Sequence, residues 1–112
     1  MSDCLFCRII AGEIPSAKVH EDELSYAFDD INPGAPMHVL VVPKKHIARA
    51  NEITGEDEAL FGHLFSVART VAEQRGLQDY RLVMNNGEGA GQSVFHVHLH
   101  VIGGRELHWP PG

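Results

Sequence analysis

Cysteine is almost missing from this chain: the only two are Cys4 and Cys7. A pair that close is a poor disulfide framework, and without an export signal it reads as half a metal site or a redox pair. Long apolar runs are missing as well; nothing approaches the ~20 residues a membrane helix needs, so no membrane association is expected. The opening Met1-Ser2-Asp3-Cys4 lacks the basic start and apolar stretch of a signal peptide, which points to a cytoplasmic protein. Positive charge is scarce: nine Lys and Arg stand against fifteen Asp and Glu, a formal net charge of -6. Without a basic stripe, a nucleic-acid backbone is not an expected partner, although a local pocket can still hold a single nucleotide. No repeat, low-complexity tract or linker interrupts the chain, so residues 1–112 read as one domain.

What the chain does have is histidine in a pattern. In His96-Val97-His98-Leu99-His100-Val101-Ile102 three imidazoles alternate with aliphatic residues. Period two is the signature of a half-buried strand, with Val97, Leu99 and Val101 toward the core and the histidines on the other face. Strands are expected at 18–21, 24–28, 38–43, 80–84 and 93–102, and a short helix at 5–11 closed by Gly12. Thr54 and Asp57 resemble a capping box opening a longer helix. Leu60, Leu64, Val67 and Val71 give that helix one apolar stripe, and Gly76 ends it. Helices and strands in this order predict an α+β fold with a mostly antiparallel sheet.

Alternate residues on a strand lie ~7 Å apart and the outer two of three ~13 Å apart, so three histidines on one strand cannot easily share one ion. At least one has a different task. A neutral imidazole can attack phosphorus and later release it, a second can hold its tautomer or protonate a leaving group, and His38, opening the neighbouring strand, is a candidate to orient the reactive ring. The alternatives are a metal-binding strand or a solvated polar face. Between 85 and 92, Gly87, Gly89 and Gly91 can turn backbone N–H groups toward an anion; an ordinary connection is the other reading. Ser93, which follows, can donate to a phosphate oxygen or a leaving group. Cys4 and Cys7 supply half of a tetrahedral zinc site, with His46 and His96 the economical completion; two reduced, partly buried thiols are the alternative. A redox role would need a thioredoxin-like βαβ setting, which is absent.

The His-φ-His-φ-His-φ-φ run, with φ hydrophobic, resembles the signature of the histidine triad (HIT) superfamily. The similarity extends along nearly the whole chain, through Cys4-Leu5-Phe6-Cys7-Arg8-Ile9-Ile10, Gly12-Glu13-Ile14-Pro15, Phe28-Asp29-Asp30-Ile31, Lys44-Lys45-His46 and Gly91-Gln92-Ser93. The ending Gly103-Gly104-Arg105, with His108-Trp109-Pro110-Pro111-Gly112, is similar to the histidine triad nucleotide-binding protein branch. The resemblance implies an HIT-like fold with one short and one long helix, in a homodimer whose two five-stranded sheets join into ten strands. It implies a purine nucleoside phosphoramidase that cleaves adenosine 5'-phosphoramidates to AMP and an amine through an adenylated histidine. His98 matches the nucleophile, His38 the residue orienting it, His100 the one beside the phosphate, and Ser93 a donor there. Asp30 matches the ribose carboxylate; Leu5, Phe6, Ile9, Phe28 and Ile31 match the purine slot. Asn85 and Gln92 lie near the phosphate, and Trp109 matches an aromatic that approaches the partner's site. Some members hold a structural zinc through the two cysteines, and the reaction needs none. The competing functions are a nucleotide-binding regulatory protein and a dinucleoside polyphosphate hydrolase or nucleotidyl transferase.

Overall fold

A computed structural model describes residues 3–112. Helix α1 (Leu5–Ile10) leads into strands β1 (Lys18–Glu21), β2 (Ser25–Asp29) and β3 (Met37–Pro43). Helix α2 (Glu58–Gln74) follows, then β4 (Tyr80–Val83) and β5 (Leu99–Gly103). The strands form one antiparallel sheet in the order β1-β2-β3-β5-β4.

The side-chain alternation of β2, β3 and β5 divides two hydrophobic layers between the sheet's faces. Ala27, Val39, Val41, Leu99 and Val101 pack under Leu64, Val67, Ala68 and Val71 of α2. Tyr26, Phe28, Leu40 and Val42 face the opposite way and meet Phe6 and Ile9 of α1. Leu99 is 1% exposed, so truncating it to Ala removes ~2–5 kcal/mol of stability. The termini of α2 follow local chemistry. The Asp57 carboxylate accepts from the Thr54 N–H at 3.0 Å and from Lys45 Nζ at 2.6 Å, opening the helix through a 3₁₀ turn at Gly55–Asp57. At the other end Gly76 takes φ +73°. The Leu77 N–H then reaches the Ala72 carbonyl at 2.9 Å, the six-to-one bond of a Schellman stop.

The last strand is shorter than its sequence pattern. Residues 93–98, expected in the ladder, lie outside it, and pairing with β3 begins at Leu99 opposite Val41. The cause lies in where the backbone groups are spent. Pro43 has no N–H to offer, and its carbonyl accepts from His96 Nε2 at 2.7 Å. The Val97 N–H goes to the Ile47 carbonyl at 2.8 Å, and the His96 carbonyl takes the ring of His98. The first strand matches expectation, and the other strands and the short helix differ from it by at most one residue at each remaining end. The first cross-sheet row that concerns function is Phe28–Leu40–His100, three directly opposed residues on the α1 face.

Candidate active site

A cavity of about 310 Å³ opens on that face, bounded by α1, β2 and the approach to β5. This is the lower end of the range of ligand pockets, ~300–1,000 Å³. Its walls include Leu5, Phe6, Ile9, Phe28 and Ile31, with Asp30 at the rim and Ser93, His98 and His100 toward β5. The sequence pattern left out Ile14, Ser16, Asn32, Leu40 and Val94, which also line it. Leu40 was legible only as core. Ser16 carried no local signal; its Oγ lies 2.7 Å from the buried Tyr26 hydroxyl.

Hydrogen bonds give the imidazoles here a direction. The Gly34 N–H donates to His38 Nδ1 at 2.9 Å, so this nitrogen carries the lone pair and Nε2 the proton. His38 Nε2–H then donates to His100 Nδ1 at 2.8 Å, with an Asp30 oxygen 3.4 Å away. The proton of His100 is therefore on Nε2, a buried atom with no hydrogen-bond partner among the described residues. An orphaned N–H beside a cavity is costly unless a ligand accepts from it. His98 is fixed independently: its Nδ1–H donates to the His96 carbonyl at 2.8 Å, leaving the lone pair on Nε2. Burial holds the His98 pKa below the ordinary imidazole value, against the His96 carbonyl and the Asp30 charge. Burial also pushes His100 down to about 4, helped by the nearby His98 and His38 rings. Both rings are neutral at pH 7, one presenting a nucleophilic lone pair and the other a donor.

A second cluster lies behind the first. His96 Nδ1 stands 3.4 Å from Cys4 Sγ, 3.5 Å from Cys7 Sγ and 3.1 Å from His46 Nδ1. Cys7 Sγ is 3.4 Å from His46 Nδ1, and all four donor atoms lie within 4.8 Å of one another. Since His96 Nε2–H is committed to Pro43, its Nδ1 lone pair points inward. Burial pushes the His96 pKa down to about 4, with His46 and His98 adding to it. Four donors around one ion, with bonds of ~2.3 Å to sulfur and ~2.0–2.1 Å to nitrogen, stand roughly 3.3–3.8 Å apart. The spacings here fit that tetrahedron. Asp30, His38 and His100 also come close enough to hold an ion. They fit one poorly, because Gly34 claims the His38 lone pair and turns an N–H toward the other two.

The remaining sequence candidates take other places. Gln92 is buried, and its amide is fully engaged: Oε1 accepts from the Gly87 N–H, and Nε2 donates to the carbonyls of Ala48 and Val94. It clamps the glycine-rich loop and is not in the cavity wall. Asn85 packs against Gly91, with its side-chain nitrogen 3.5 Å from a Cβ placed there, and it does not line the cavity either. Trp109 is 82% exposed and away from the cavity of its own chain.

The sheet, the two helices and the histidine run define the class, an α+β protein with the HIT-like fold. The chain belongs to the HIT domain family, whose model matches residues 11–107. It is 53% identical over 111 residues to an uncharacterized HIT-like protein of Synechocystis, covering 98% of this chain and 97% of that one. The solved HIT family hydrolase of Legionella pneumophila superimposes with a TM-score of 0.96 at 48% identity, covering 98% of this chain and all of that one. A histidine triad nucleotide-binding protein of Candida albicans gives a TM-score of 0.83 at 34% identity, over 96% of this chain and 83% of that one. Among the described residues no helix is long and apolar enough to cross a membrane.

Proposed function

We propose that this chain is a hydrolase of purine nucleoside phosphoramidates, cleaving the P–N bond of adenosine 5'-phosphoramidates. The purine lies between the apolar walls built by Phe6, Ile9, Phe28 and Ile31, and Asp30 receives the ribose hydroxyls. The α-phosphate sits against the His100 Nε2–H, which gains the acceptor it lacks. His98 Nε2 uses its lone pair to form a bond to phosphorus as the P–N bond to the amine breaks. The leaving nitrogen takes a proton from solvent at the exposed Ser93, whose hydroxyl hydrogen-bonds it. Water then attacks the nucleotidyl group, the histidine–phosphorus bond breaks, and AMP leaves with the neutral imidazole restored. The sum is phosphoramidate plus water giving AMP plus amine. The observation that carries this reading is the direction of the ring protons: His98 offers a lone pair beside an unsatisfied His100 donor at the edge of an apolar cavity. The Legionella relative, named a hydrolase, and the Candida relative, named nucleotide-binding, support the same class.

The proposal includes one structural zinc on Cys4, Cys7, His46 and His96; the ion cross-links α1, the loop after β3 and the segment before β5, and the chemical step does not use it. It also includes a homodimer, supported by the position of β4 at the edge of the sheet, where a second copy can extend five strands to ten. Steady-state assay of an adenosine phosphoramidate beside a dinucleoside polyphosphate tests the substrate class. The account expects the phosphoramidate to be turned over far faster, with kcat/KM in the enzyme range of ~10⁴–10⁸ M⁻¹s⁻¹. Preference for the polyphosphate favours the transferase-type alternative, and negligible turnover of both favours a regulatory nucleotide binder.

A further inference from the structure

We propose that the Cys4–Cys7–His46–His96 cluster positions the His98 nucleophile, beyond stapling the N-terminal helix to the sheet. The inference rests on the zinc and hydrolase readings above and concerns what the cluster's own residues do to the neighbouring ring. His98 lies just outside the β5 ladder, which starts at Leu99, so strand pairing does not hold it. It meets the ring of His100 in that ladder at a centroid distance of 5.0 Å, and three further contacts lead to the cluster. Its Nδ1–H donates to the carbonyl of His96, itself a member of the cluster, at 2.8 Å. Its ring meets the edge of Phe6 at a centroid distance of 5.0 Å and an interplanar angle of 87°. Phe6 is bracketed in the chain by Cys4 and Cys7 and also touches His96, at 6.0 Å. The backbone between the two histidines is tied by the Val97 N–H to the carbonyl of Ile47 at 2.8 Å, and Ile47 follows His46.

Apart from the ring of His100, each of these supports belongs to a cluster residue or sits within two residues of one. Consecutive Cα atoms are ~3.8 Å apart, so bonds from one ion to all four donors fix the three supports together. Losing them matters because a displacement of ~1 Å at a reacting atom can cost ~10²-fold in rate. Of the cavity walls, Phe28 and Leu40 are held by the ladder, whereas Phe6 and Ile9 ride on α1 with the cluster. Loosening the cluster should therefore cost some nucleotide affinity through α1 and a larger factor in turnover. Cys4, Cys7, His46 and His96 are positioning residues, and none of them lines the cavity.

The test uses the full chain, purified reduced and zinc-replete, before and after chelation. Three quantities are read: kcat on an adenosine phosphoramidate, the Kd for AMP by calorimetry, and the ring ¹⁵N signals of His98. The expected result is one zinc per chain, with removal lowering kcat about tenfold or more and changing the AMP Kd less than about threefold. The His98 signals should broaden or move away from the Nδ1–H tautomer, and added Zn²⁺ should restore all of these. If the stripped protein unfolds, His46→Asn serves instead, since His46 is the exposed member of the four and both thiols remain. An unchanged kcat and unchanged ¹⁵N signals in metal-free protein, or in zinc-depleted His46→Asn, overturn the inference alone. Parallel loss of kcat, AMP binding and folded signal in the variant overturns it in favour of a purely structural role. Protein that takes up no zinc overturns the zinc reading and this inference with it, but leaves the hydrolase reading intact, whereas absence of turnover in zinc-loaded wild type removes the hydrolase reading.

Discussion

Two histidine clusters stand at the two ends of one five-residue segment, and they differ in what the backbone has claimed from each ring. At the His96 end, a carbonyl (Pro43) takes the N–H, and the lone pair is left facing two sulfurs and another imidazole. At the His100 end, a backbone N–H (Gly34) takes the His38 lone pair, so N–H donors point outward along His38 and His100 to an atom with no acceptor among the described residues. The first arrangement gathers lone pairs, as a cation needs. The second delivers a proton donor, as an anionic phosphate needs. His98, between them, is turned by the His96 carbonyl so that its lone pair remains for chemistry. One residue type takes three arrangements because the neighbouring groups fix each tautomer.

The largest expected effect comes from removing the lone pair between the clusters. His98→Ala should lower kcat by at least about 10³-fold while AMP still binds; retention of more than a tenth of wild-type turnover would break the assignment of roles. Next, His38→Phe keeps an aromatic ring but cuts the proton chain at its first link. A loss of about 10²-fold in kcat is expected, read by steady-state kinetics, and a smaller loss would mean that the His100 proton does not need its partner.

Cys4→Ser acts at the other cluster, and its primary reading is metal content together with Tm. Zinc should fall well below one per chain, and Tm by roughly 5–10 °C, a change of ~1–2 kcal/mol for a domain of this size. Acid pH acts on both clusters, since burial holds His96 and His100 alike down to about 4. The folded pKa of His100 is pushed down to about 4 from an ordinary 6.5, so below pH 6.5 the unfolded chain takes up a proton that the folded one refuses. Stability should therefore fall with pH from 6.5 toward 4, by roughly 2–3 kcal/mol from this group. His100→Gln should flatten that part of a urea-denaturation profile; an unchanged slope contradicts the burial argument. The smallest effect is expected at Ser16→Ala. It removes a hydroxyl from the cavity lining and should raise KM about three- to fivefold with kcat unaltered, the value of ~1 kcal/mol for one hydrogen bond.

Much of this architecture is legible in the sequence. The Thr54–Asp57 pair, the α2 stripe and Gly76 are local signals, each acting within a turn or two, and each led to the element it implies. The period-two run also placed Leu99 and Val101 in the core correctly. What it could not reveal was where the ladder begins, because that depends on Pro43 and Ile47, distant in sequence, claiming the polar groups of 96–98. The same is true of the tautomers: no pattern of residue types shows that Gly34 donates to His38. Gln92 had the side chain of a ligand, and only the positions of Gly87, Ala48 and Val94 show its amide fully engaged in holding the loop.

The most direct measurement is intact-mass and peptide analysis of enzyme quenched in the first turnovers of an adenosine phosphoramidate. The account predicts an added mass of one AMP moiety located on His98, missing in His98→Ala. A covalent adduct on another residue, or full turnover by the variant, would contradict it.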